Sequence, residues 1–247
     1  MTQAQDSEPE SLRTVQVWRG DATGGAFAEY RVPARPRQTI LDLVTWIQRH
    51  IDPGLSYRYA CRVGMCGTCA MTVNGRPRWT CRTLLGTVAG EGTLRIAPLA
   101  HLPVIKDLAC DMAAFFDKWR RAEGRFHGID SVEPEIAVVS PSSPERQAAD
   151  AGIECIGCGV CYAACDVVGW NPEYLGPAAL NRAWTLANDV RDRAGVARLK
   201  AVAGDAGCHA CHSHQSCADH CPKHLNPTRG IAGLKRLAAR AALKGEI

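Results

Sequence analysis

No stretch of this 247-residue sequence approaches the roughly 18–20 consecutive apolar residues of a membrane-spanning helix, so any membrane contact is expected to be peripheral. The opening residues, MTQAQDSEPE, lack the charged, apolar and small-residue order of a secretory leader. The chain is therefore expected to stay out of oxidising compartments. Charge of one sign is missing too. Lys and Arg number 29 against 25 Asp and Glu, and a formal balance of +4 is too mild to argue for nucleic acid. A charged fraction of 22% and an apolar fraction of 46% describe an ordinary folded chain. Cysteine is too sparse for a disulfide scaffold, at roughly 5% against about 8–10%, yet its 13 copies are grouped. Four lie in residues 61–81, four in 155–165 and four in 208–221, while Cys110 stands alone. Without an oxidising compartment, such grouping points to metal ligation.

Local patterning divides the chain in two. Residues 1–12 are polar and read as disordered. Residues 14–18 alternate as a strand, and residues 27–32 offer a hairpin partner. Ile40, Leu43, Val44, Ile47 and Ile51 recur at helical spacing behind Thr39 as N-cap, with Asp52-Pro53-Gly54 as a stop. Asn74-Gly75 marks a second hairpin, and residues 93–96 supply a further strand. Residues 13–104 thus read as a small α+β domain and residues 105–247 as a helical one. In the latter, Ile105, Leu108, Ala109, Met112, Phe116 and Trp119 make an apolar stripe that places Cys110 in a helix as a packed thiol. Residues 123–150 read mostly as loop. Leu180, Ala183, Trp184, Ala187 and Val190 form another stripe, closed by Ala194-Gly195. Asn226-Pro227 opens a last helix with a basic tail, suited to a solvated face or to an anionic membrane surface.

Cys61-x4-Cys66-x2-Cys69, with Cys81 eleven residues on, is the plant-type ferredoxin spacing for a [2Fe–2S] centre. Three thiolates from one tight loop can hold two adjacent irons, and a fourth arrives from elsewhere in the fold. Gly64 and Gly67 let the loop bend and bring N–H groups toward the sulfurs. Zinc is the plainer alternative, and with it a non-redox interaction module, but zinc knuckles rarely use an x4-then-x2 loop.

Cys155-x2-Cys158-x2-Cys161-x3-Cys165 is the bacterial ferredoxin run, in which the fourth cysteine serves the other cluster. A second run, Cys211-x5-Cys217-x3-Cys221-Pro222, has the same overall spacing with His214 where the second cysteine would stand. Crossing the fourth cysteines gives Cys155, Cys158, Cys161 and Cys221 to a [4Fe–4S] centre. Cys165, Cys211 and Cys217 remain for a centre short of one thiolate, as a [3Fe–4S] cluster needs. Cys208 is left spare.

Clusters of these types in this order, with the stretches SYRYACRVGMCGTCAMTVNG, LPVIKDL, DMAAFF, CIGCGVCYAAC, WNPEYLGPAAL and CHSHQSCADHCPKHLNPTRGI, resemble one family. It is the iron–sulfur subunit of succinate dehydrogenase and fumarate reductase, and the resemblance runs from about residue 14 to the C-terminal helix. Cys211-His212-Ser213 and Trp170-Asn171-Pro172 look more like the succinate dehydrogenase branch. The resemblance implies a plant-type ferredoxin-like (β-grasp) [2Fe–2S] domain followed by an α-helical bacterial-ferredoxin-type domain. It also implies an FAD-containing flavoprotein partner, a hydrophobic membrane anchor and a quinone, on the cytoplasmic side of the inner membrane. Such a subunit is part of an enzyme but has no catalytic acid or base of its own. Trp170 and His212 would lie at the quinone edge, Trp170 offering an indole N–H and His212 standing near the proton path. The rival reading is an iron–sulfur subunit of a different flavoprotein dehydrogenase, with another substrate or a soluble acceptor.

Several positions depart from the family pattern. Asp166 stands where a proline usually follows the fourth cysteine, Gly169 precedes Trp170 in place of a second tryptophan, and His214 replaces an apolar residue. Asp166 or His214 could join a proton relay, or Asp166 could simply cap a helix. The plainer reading of His214 packs it beside a [3Fe–4S] centre. The sharper one makes it a fourth ligand, with Cys208 as a less well-placed candidate.

Overall fold

The structure is a computed structural model and describes residues 11–88, 90, 92–128 and 138–247. Two compact units emerge: one runs to Leu99 and includes Pro103–Cys110, and the other comprises Ala100–Leu102 with Asp111–Ile247.

In the first unit, β1 (Ser11–Asp21) and β2 (Gly24–Ala34) form an antiparallel hairpin, so Ser11 and Leu12, expected to be disordered, are already in a strand. The remainder of that polar stretch lies outside the described residues. Helix α1 (Ile40–His50) starts at a capping box in which Thr39 and Asp42 satisfy each other's backbone N–H groups. It buries Ile40, Leu43, Val44 and Ile47 against Val15, Val17 and Val32 of the sheet. Strands β3 (Ala70–Val73) and β4 (Arg76–Trp79) flank Asn74 and Gly75, both at positive φ as a two-residue hairpin turn requires. A short α2 (Leu85–Val88) leads to β5 (Leu94–Ala97), which pairs parallel to β1 and antiparallel to β3. The sheet order is β2-β1-β5-β3-β4.

The first part of the stripe that begins at Ile105 is not helical, although Phe116 and Trp119 do lie on a helix. Residues 104–110 form β6 (Val104–Lys106) and β7 (Ala109–Cys110), joined by a turn with Asp107 at φ 52°. Asp107 is the reason. Its carboxylate accepts from the Arg19 guanidinium at 3.0 Å, the Gly20 N–H at 3.1 Å and the Ser56 N–H at 2.8 Å. These bonds fix the hairpin to the sheet, so the first compact unit takes in Pro103–Cys110 and the Cys110 thiol is buried on a strand. Burial opposes the charge on Arg19, yet Asp107, Tyr30 and Asp52 together stabilise it and raise its pKa.

The second unit is helical, starting with α3 (Ala113–Arg121). Part of the expected 123–150 loop is instead α4 (Pro144–Ile153), capped by the Ser143 hydroxyl with proline at the first position; residues 129–137 lie outside those described. Then come α5 (Val160–Ala163), α6 (Asp166–Trp170) and the central α7 (Gly176–Ala187). The second stripe ends at Ala187, short of Val190, and Gly195 opens α8 (Gly195–Val202) where a stop was expected. Helices α9 (Ser216–Asp219) and α10 (Pro227–Leu243) complete the unit. Helix α10 approaches α7 closely because Gly230 and Gly233 face the Trp184 ring, where a Cβ at 233 would sit 2.3 Å from it. One arginine ties the loops together: Arg198, wholly buried, pairs with Asp192 and donates to the carbonyls of Glu123 and Arg125 at 3.0 and 2.9 Å.

Candidate metal centres

The first cysteine loop, residues 61–69, has no regular structure and turns through left-handed backbone at Arg62, Gly64 and Gly67. The consequence is a fan of amides around one sulfur. N–H groups of Val63, Met65 and Cys66 point at Cys61 Sγ from 3.5, 3.2 and 3.3 Å. They draw that thiol down to about 6, and a bond from the Cys66 side chain adds to the effect. Cys81 goes the other way, to about 11, pushed first by burial and then by its bond to Cys69, despite an N–H from Gly64. Four thiols thus stand as two contacting pairs, Cys61 with Cys66 and Cys69 with Cys81. That is the donor arrangement two bridged irons require. Leu41 packs with Cys69 and Cys81, and Tyr57 and Trp79 cover them. The Thr80 hydroxyl donates to the Cys69 carbonyl at 2.7 Å and fixes how the fourth cysteine enters.

The helical unit holds two further groups, each around its own pocket. One is lined by Cys155, Cys158, Cys161 and Cys221. The other is lined by Cys165, Cys211 and Cys217. The fourth cysteine of each run has crossed to the other run's pocket. Here burial dominates the electrostatics. Desolvation, with the mutual charge of its neighbours, lifts Cys158 to about 12 and Cys161 well above the usual thiol value. Cys165 and Cys217 are raised for the same first reason. Tyr174 is also raised, by burial and then by the charges of Cys211, Cys165 and Cys217. Seven thiols that repel when ionised make a poor apolar core and a good cage for a cationic iron core. Among the described residues, no three His, Cys, Asp or Glu side chains converge on a single-ion position.

The remaining candidates separate. His214, His212 and Asp166 line the smaller pocket. Asp166 is the first residue of α6 with Cys165 before it as N-cap, so the reading of Asp166 as a cap gives way. Its carboxylate instead lies 3.7 Å from His214 Nδ1. Trp170 is 69% exposed and meets the His214 ring edge-on at 6.0 Å. Cys208 is buried on a single 3-10 turn beside Cys211 and Lys235 and does not line the pocket. Two contacts carry no sequence signal: Lys235 Nζ donates to the Cys211 carbonyl at 2.7 Å, and Thr228 Oγ1 lies 3.2 Å from Cys217 Sγ.

The comparisons agree with this geometry. Residues 14–117 match a family model described as a 2Fe-2S iron-sulfur cluster binding domain, and residues 154–226 one described as a 4Fe-4S dicluster domain. The fumarate reductase iron-sulfur subunit of Haemophilus influenzae is 33% identical over 217 residues, covering 83% of each chain. The mitochondrial succinate dehydrogenase [ubiquinone] iron-sulfur subunit 1 of Oryza sativa is 35% identical over 237 residues, covering 94% of this chain and 84% of that one. A chain of the Mycobacterium smegmatis Sdh1 complex in the apo form superposes with a TM-score of 0.85 at 27% identity, covering 94% of this chain and 98% of that one. With thiols in three groups, a [2Fe–2S] domain ahead of a [4Fe–4S] dicluster domain, and relatives of this kind along most of its length, the chain belongs to the family of succinate dehydrogenase and fumarate reductase iron–sulfur subunits.

Proposed function

We propose that this chain relays electrons between an FAD-containing subunit that oxidises a dicarboxylate and a quinone held by a hydrophobic membrane anchor. The observation that carries the reading is the sorting of eleven thiols into groups of four, four and three, with the two runs of the helical unit interleaved. Bound clusters supply one-electron carriers, which a two-electron flavin and a two-electron quinone need between them.

The protein's own part is to hold, tune and insulate. Cys61, Cys66, Cys69 and Cys81 would hold the [2Fe–2S] centre, and the amides around Cys61 stabilise its negative charge. Cys155, Cys158, Cys161 and Cys221 would hold the [4Fe–4S] centre, and Cys165, Cys211 and Cys217 the third. Leu41, Tyr57 and Trp79 shield Cys69 and Cys81, while the Cys61 side of the group stays open to solvent. At the third, the exposed Trp170 can offer its indole N–H to a quinone carbonyl. His212 and Asp166 supply acid–base groups where quinone reduction takes up two protons. No residue of this chain is asked to act on the dicarboxylate. The chain would lie against the cytoplasmic face of the inner membrane; among the described residues no helix is long and apolar enough to cross one.

The test is a pull-down of the native complex under anaerobic conditions, assayed for flavin, acid-labile sulfide and dicarboxylate–quinone turnover. All three are expected together. A colourless chain with stoichiometric zinc and no labile sulfide overturns the proposal.

A further inference from the structure

We infer that His214 is a ligand of the third centre, which makes that centre a four-iron cluster held by three thiolates and one imidazole. This rests on the relay reading above and adds a ligand that the cysteine pattern does not contain. The two runs are the same loop written twice. Offsets from Cys155 to Cys158, Cys161 and Cys165 repeat from Cys211 to His214, Cys217 and Cys221, so His214 occupies the register of Cys158.

The backbone repeats with the spacing. Cys158 is flanked by Gly157 and Gly159 at φ 63° and 77°, and His214 by Ser213 and Gln215 at φ 59° and 64°. In each run the second left-handed residue is the N-cap of a four-residue helix, α5 or α9, whose second residue is Cys161 or Cys217. In each, the first cysteine sulfur accepts the N–H two residues on, from Gly157 onto Cys155 and from Ser213 onto Cys211 at 3.4 Å. Glycine takes left-handed backbone freely, but serine and glutamine do so only against steric resistance. The second run keeps this conformation on both sides of position 214 without glycine's help.

The environment of His214 is that of a metal-binding imidazole. It lines the same pocket as Cys165, Cys211 and Cys217, as Cys158 lines the pocket of Cys155, Cys161 and Cys221. A ligating histidine usually presents its second ring nitrogen to a carboxylate, which sets the tautomer and raises ligand basicity. Asp166 lies on the Nδ1 side, at 3.7 Å, and leaves Nε2 for iron. Trp170 braces the ring edge-on. The neutral imidazole donates its Nε2 lone pair: one nitrogen–iron bond forms, none breaks, and no electron changes owner.

The experiment uses the native complex purified without oxygen. Oxidised wild-type material is expected to show no three-iron EPR signal and to contain one iron more per chain than a three-thiolate third centre allows. Histidine labelled with nitrogen-15 should change the hyperfine coupling of the reduced third centre. His214→Ala should bring up a three-iron signal of about one spin per chain, and His214→Cys should abolish that signal while removing the nitrogen coupling. A three-iron signal near one spin per chain in wild type, unchanged in His214→Ala, overturns the inference. If His214→Ala fails to assemble, the nitrogen coupling in wild type decides, and its absence counts against ligation. Loss of all labile sulfide would instead strike the relay reading, so the two failures are distinguishable.

Discussion

The open loop around Cys61 and the two pockets of the helical unit gather thiols under opposite conditions. Around Cys61 the backbone supplies the stabilisation, through three N–H groups on one sulfur at the surface. In the helical unit the thiols are withdrawn from water, and their raised pKa values record the resistance to ionising them there. At Cys61 the backbone already favours the thiolate, whereas in the helical unit ionisation becomes favourable when positive iron compensates the buried sulfur charge. The first unit also has an apolar core of its own, from Val15 through Ile96, whereas in the helical unit buried Ala178 and Ile231 line the two pockets themselves.

This contrast is open to attack in order of effect. Removing iron with chelator should strip amide hydrogen-exchange protection from α5, α6 and α9 while leaving α1 and the β1–β2 hairpin protected. Equal loss in both units would break the comparison. Arg198→Leu leaves Asp192 buried without its partner and should destabilise the helical unit by about 3–5 kcal/mol, read as thermal unfolding of the loaded chain. Arg19→Leu, at a hub that is partly exposed, should take about 1–3 kcal/mol from the first unit. Gly64→Ala would set a Cβ 2.8 Å from the Trp79 ring at a left-handed position. It should cost about 1–3 kcal/mol and bleach the visible absorption of the [2Fe–2S] centre while the other clusters survive. The smallest effect is in acid. Burial alone would raise Asp192, but bonds from Arg198 and from the His127 and Ala194 amides hold its pKa below 3.8. Its ionised form is favoured in the folded state, so the stabilisation is whole above about 3.8 and fades as pH falls through the lower folded value. Asp192→Asn should flatten that part of the stability–pH curve, measured by denaturant titration between pH 5 and about 2.

Spacing was enough to read the thiol groups, because ligand loops impose fixed offsets and the crossing of Cys165 and Cys221 follows from the run itself. Capping was equally plain at Thr39 and Asn226, where side-chain chemistry is local. Residues 105–110 misled because apolar spacing cannot sense Asp107, whose partners Arg19, Gly20 and Ser56 are distant in sequence. Helix α4 escaped because it has little apolar periodicity, although Ser143-Pro144 announced its start. The Asp166–His214 contact was out of reach for a further reason. It joins side chains beside two different runs, and the left-handed Ser213 and Gln215 that set up the loop have no compositional mark.

The exchange of last cysteines has a bearing on biosynthesis. Cys221 lines the pocket of the earlier run and Cys165 that of the later one. On the ribosome, the pocket begun at Cys155 therefore lacks a wall until residue 221 has emerged. An assembly factor delivering iron and sulfide to the nascent helical unit would find neither cage closed, whereas the loop from Cys61 to Cys81 is complete long before. The threading thus lets the surface loop close first and the two interlocked cages only together, at the end.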